Sequence, residues 1–100
     1  DLVERRIGQA LAAGVDGIVS SPHEAAMARE MAKAAGRPEF LIVTPGVRPE
    51  WSARNDQARA ATPASALAAG ATHLVCGRPI TAAADPREAA SRVIAEMAGV

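Results

Sequence analysis

Gly77 and Arg78 follow directly on the short apolar run His73–Cys76, and together they could hold an anion. Glycine lets backbone N–H groups approach an oxyanion, and a guanidinium offers a planar fork that meets two phosphate oxygens at once. Two more candidates, Arg48 and Gln57, lie upstream on the polar loop of residues 45–62. A neutral amide both donates and accepts, so Gln57 could bridge a phosphate and a second polar group of the same ligand. The loop is long for a connection inside a compact domain, and such loops are usually functional or disordered. It carries three arginines, Arg48, Arg54 and Arg59. Spacing alone leaves two readings equal: a flap over a phosphate ester, or arginines solvated on a surface loop.

The other reactive side chains read as structural. Cys76 is the single cysteine, which excludes an internal disulfide framework and a thiolate metal cage. At a strand end it reads as a small core residue. His23 falls early in a helix and is expected to be exposed. His73 opens a strand and is expected to be half-buried and hydrogen-bonded, with no second ligand to complete a metal site. Lys33 is the only lysine and reads as a solvated helix residue. Met27 and Met31, four apart on one helix, read as core packing. Trp51 is expected to anchor the loop, Arg54 to be solvated, and Arg59 to pair with Asp56. Asp16 and Thr72 occupy matching places before strands, where turn duty explains them.

The elements that must position these residues come from a loose internal repeat. "ALAAGVDGIVSSP" (10–22), "KAAGRPEFLIVTPG" (33–46) and "ALAAGATHLVCGRP" (66–79) share one plan: alanine-rich helix end, glycine, short linker, apolar strand, small or polar turn. Gly14, Gly36 and Gly70 sit where a helix stop takes a left-handed residue. The apolar runs predict strands at about 17–20, 40–44 and 73–77, buried on both faces as in a parallel sheet. Ser21-Pro22-His23-Glu24 predicts a capped helix start, Asp85-Pro86 a second and Thr62-Pro63 a third. The order is helix, strand, helix, strand, long loop, helix, strand, helix. Such alternation means an α/β fold, either an open doubly wound sheet or an arc of a (β/α)8 TIM barrel. Polar residues clustered at the carboxyl ends of the strands favour the barrel, where ligands bind at that end.

Composition narrows the function classes. In 100 residues, 49% are apolar and 22% charged, which suits one soluble domain. Eleven basic and eleven acidic residues cancel, so no global field points to nucleic acid or an anionic membrane surface. Aromatic residues make up only 2%, too few for base-stacking on single strands. No apolar run reaches membrane-spanning length and no secretory leader is visible, so a cytoplasmic location is expected. The chain begins without Met and already in helical pattern, so a piece of a longer protein is expected.

The segments "FLIVTPGVRP", "NDQAR", "TPASALAAGATHLVCGRPIT" and "ADP", in that order, resemble the C-terminal part of the orotidine 5′-phosphate decarboxylase family. That family carries Thr-Pro-Gly-x-Arg after its seventh barrel strand, Asn-Asp-Gln-x-Arg on the same loop, and Gly-Arg-x-Ile-Thr after its eighth. "DGIVSSPHEA" is similar to its sixth strand and turn. Ala58 departs from the pattern, since many members have Lys there. The resemblance implies that residues 1–100 are the C-terminal barrel segment, with Arg48, Gln57, Gly77 and Arg78 binding substrate. Arg78 and Gln57 would grip the 5′-phosphate, Gly77 would add a backbone contact, and Arg48 would belong to the phosphate-side loop. It also implies conversion of orotidine 5′-phosphate to uridine 5′-phosphate and CO2 in pyrimidine synthesis, without cofactor or metal, by a homodimer. The family's catalytic lysine and aspartates have no counterpart around Lys33, so no catalytic residue is expected in this chain, and the isolated chain is expected to be inactive. Two alternatives are another phosphate-binding barrel enzyme, such as a sugar-phosphate decarboxylase or isomerase, and a non-catalytic α/β module that self-associates through strand edges.

Overall fold

The computed structural model describes residues 1–49, 51 and 61–99. Its elements are α1 (Leu2–Ala13), β1 (Gly17–Val19), α2 (Ala25–Ala34), β2 (Leu41–Thr44), α3 (Pro63–Ala69), β3 (His73–Leu74), α4 (Arg78–Thr81) and α5 (Pro86–Met97). The three strands form one parallel sheet in the order β1-β2-β3. Ile18 lies beside Ile42, and Thr44 beside Leu74. Spatial order follows chain order without reversal. A barrel arc requires that order, and one half of a doubly wound sheet shares it.

The sheet buries one face only. Alternate residues of a strand point to opposite sides. Ile18 and Ile42 point to the side where Phe40, Ile7 and three alanines of α2 (Ala25, Ala28 and Ala32) close a core. The alanines fall on one helical face and bring α2 close to the strands. Phe40 and Ile42 are fully buried, each worth about 1.5–3 kcal/mol of transfer free energy. On the other side Val19, Leu41 and Val75 are 73%, 40% and 50% exposed. An apolar row open on one side, with helices on the other, is how the inner wall of a barrel looks when the opposite strands are not there to cover it. The radius of gyration, 14.5 Å, exceeds the roughly 13 Å of a compact 100-residue domain, as a curved slab requires.

Several local signals act as the sequence predicts. Gly14, Gly36 and Gly70 have φ of 80°, 76° and 121°. Thr62 caps α3 in a reciprocal box with Ser65, and the Asp85 carboxylate caps α5 by accepting from the Glu88 N–H at 3.2 Å. Ser21 differs. Its hydroxyl donates to the Glu24 carboxylate at 2.8 Å, the Glu24 N–H bonds the Ser21 carbonyl, and α2 begins only at Ala25. The four residues form a turn, so the side chain expected to cap a helix is occupied within it. The ladder is shorter than the apolar runs at the carboxyl ends, although Ser20 and Val75 still donate N–H bonds to Val43 and Thr44. The short helix α4 is an addition; "RPIT" carries too little periodicity to announce it.

Candidate phosphate-side cleft

Where β2 and β3 end, two short segments converge. After Thr44 the chain turns at Gly46, whose φ of 73° lies in the left-handed region that a side chain disfavours. It then runs through Val47 to Arg48, where Val47 bridges to Ala61 and the Arg48 N–H donates to the Ala61 carbonyl at 2.9 Å. After β3, Val75 and Cys76 lead into Gly77, the N-cap of α4, and Arg78 is that helix's first residue. The two segments enclose a cleft of about 270 Å³, lined by Gly46, Val47, Arg48, Val75, Gly77, Arg78 and Pro79. Three of the four substrate-binding candidates, Arg48, Gly77 and Arg78, therefore share one cleft at the carboxyl ends of neighbouring strands. Gln57, with Arg54, Asp56, Ala58 and Arg59, lies outside the described residues.

Gly77 has φ −97°, and a Cβ built there would meet nothing within 4 Å. Its ψ of −102° lies outside both the helical and the extended regions, a conformation that glycine adopts more readily than residues with a Cβ. Arg48 is half-buried and Arg78 exposed, and both line the cleft. Cys76 stands just behind the cleft. Burial pushes its thiol above the usual range; the charge of Arg48 opposes that shift and Glu96 adds to it. Cys76 is therefore a protonated thiol near neutral pH, as a packing residue should be and a nucleophile should not.

The remaining candidates resolve as follows. Lys33 is exposed on α2 and pairs with Glu30 at 3.7 Å, on the outer helix layer. His23 is exposed. His73 is also exposed rather than half-buried, with Nδ1 3.0 Å from the Thr72 hydroxyl, because it lies on the open inner face of the sheet. Thr72 does more than turn duty: its hydroxyl accepts from the Ile42 N–H at 2.9 Å, and it extends the β2–β3 ladder at its start. Met27 and Met31 pack against the main core. Among the described residues no group of three His, Cys, Asp or Glu could hold a metal ion. No helix among them is long and apolar enough to cross a membrane.

Sequence reasoning placed Gly46 at a strand end but passed over Pro79, which lines the cleft beside Arg78. It also passed over Arg29, which organises the opposite end. From α2, Arg29 donates to the carbonyls of Phe40 (2.7 Å), Pro38 (3.0 Å) and Gly70 (3.2 Å), tying α3's end to β2's beginning. No local pattern distinguishes such an arginine from a solvated one.

Comparison with known proteins follows the same lines. The family described as Orotidine 5′-phosphate decarboxylase / HUMPS matches residues 1–93. An orotidine 5′-phosphate decarboxylase of Caulobacter vibrioides (strain NA1000 / CB15N) is 83% identical over the whole chain, which covers 43% of that protein. The one from Caulobacter sp. (strain K31) is 74% identical, with 42% covered. The crystal structure of orotidine 5′-phosphate decarboxylase from Lactobacillus acidophilus superposes with a TM-score of 0.76 at 34% identity, over 95% of this chain and 36% of that one. The chain thus spans about two fifths of the length of the curated relatives it matches. With matching strand winding, helix layer and strand-end motifs, the chain belongs to the orotidine 5′-phosphate decarboxylase / HUMPS family.

Proposed function

We propose that the complete protein carrying this chain decarboxylates orotidine 5′-phosphate to uridine 5′-phosphate and CO2, and that this segment holds the substrate's 5′-phosphate. The observation that carries the reading is the convergence of Arg48, Gly77 and Arg78 on one cleft at the strand ends. In the reaction, the bond from C6 to the carboxylate breaks, the electron pair stays on C6, and a proton from an ammonium group replaces the departing CO2. The lysine and aspartates for that step lie outside this chain, whose one lysine sits on the outer face of α2. Arg78 and Gln57 would grip the phosphate, Gly77 would bring its backbone close, and Arg48 would add charge from the loop. Binding energy from a phosphate remote from C6 can be used to stabilise the transition state at C6. A cytoplasmic homodimer working without cofactor fits the same reading.

Two measurements test it. The complete protein should decarboxylate orotidine 5′-phosphate, and the 100-residue polypeptide should show no turnover. The complete protein should also bind uridine 5′-phosphate well above ribose 5-phosphate, since the proposed substrate is a pyrimidine nucleotide. Equal binding of the two, with no decarboxylation, would favour a sugar-phosphate enzyme instead.

A further inference from the structure

Arg48 lies on a short segment whose other residues are packed against the body of the fold. Val47 is 2% exposed, Pro49 is fully buried and Trp51 is half-buried, while Arg48 lines the cleft. Val47, Pro49 and Trp51 thus hold the backbone on either side of Arg48. At its start, the pin is the Val47–Ala61 pairing. At its far end, the pin is Trp51, which sits beside the groove between the start of α3 (Thr62, Ala64) and α5 (Ala95, Glu96). The guanidinium of Arg92, on α5, lies over the Trp51 ring, 4.3 Å from its centroid. The indole Nε1 is buried and finds no hydrogen-bond acceptor. The ring is therefore held by packing and by this cation–π contact, without the hydrogen bond that buried tryptophans usually make.

We propose that Arg92 is a positioning residue for the phosphate-side cleft: by stacking on Trp51 it fixes the end of the 47–51 segment and hence the place of Arg48. The inference rests on reading that cleft as the phosphate site. Arg92 lies on the last helix and does not line the cleft, and its own side chain is exposed. Its removal leaves the core intact and loosens only the segment's far anchor.

The test uses the complete enzyme, with orotidine 5′-phosphate and phosphate-free orotidine as paired substrates. Arg92→Ala should raise KM for the phosphorylated substrate about two- to fivefold, the range that one exposed cation–π contact converts to. Its kcat and its kcat/KM on orotidine should stay at the wild-type level, and its melting temperature should fall by no more than about 2–4 °C. Arg92→Lys and Trp51→Phe, which keep a cation over a ring, should restore most of the affinity. An unchanged KM in Arg92→Ala overturns the proposal, as does an equal loss on both substrates, which would mark a general structural role. If the wild-type enzyme itself does not prefer the phosphorylated substrate, the phosphate reading of the cleft fails first and takes the inference with it.

Discussion

Cys76 illustrates how much a single residue's surroundings decide. The thiol adjoins the proposed phosphate cleft, yet desolvation raises its pKa, with Glu96 reinforcing and Arg48 opposing. The folded thiol therefore keeps its proton to higher pH than an unfolded one. Its contribution to stability is present below the unfolded thiol's pKa of about 8.5 and is lost as pH climbs past that value. Alkylation of Cys76, followed by mass spectrometry of its peptide, should be slower at pH 8.5 than for a small free thiol. It should slow further in Arg48→Ala, where the favourable charge is gone. Alkylation at the free-thiol rate would mean that the side chain is solvated. The identity of Gly77-Arg78 as a candidate pair was legible in the sequence because both residue types are needed for anion binding and stand together. The exposure of His73 was not, because it depends on which face of the sheet is covered.

At the scale of elements, start and stop signals were legible where the side chain had one partner to choose. Thr62 and Asp85 cap helices as their positions imply. Ser21 had a carboxylate three residues away and bonded that instead, which delays α2 to Ala25. Gly70 ends α3, and its sequence position announced the stop but not the second constraint on it. With φ 121°, a Cβ there would lie 2.8 Å from the Cβ of Arg29. Gly70→Ala should therefore cost about 1–3 kcal/mol from backbone strain, and more if Arg29 loses its bonds to the Gly70 carbonyl. Chemical denaturation of the complete protein measures it. A change under about 0.5 kcal/mol, the level of neutral surface substitutions, would show that the α2–α3 contact adapts freely.

At the scale of the molecule, the one-sided helix layer and the superposition on a solved decarboxylase identify an arc of a barrel. The alternation of helix and strand was readable from glycine and apolar spacing. The choice of barrel over open sheet was readable only from the polar strand ends and the family resemblance, because both folds use the same βα units. What the arc brings together is a pair of strand ends, one carrying Arg48 and the other Gly77 and Arg78, around a shared cleft. The most direct test is the Arg78→Ala variant of the complete protein, assayed on orotidine 5′-phosphate and on orotidine. Loss of a charge-assisted pair to the phosphate should lower kcat/KM for the nucleotide by a factor equivalent to about 2–4 kcal/mol, while the phosphate-free nucleoside is turned over as by wild type. A similar loss on both substrates, or none on either, would contradict the assignment of this cleft to the phosphate.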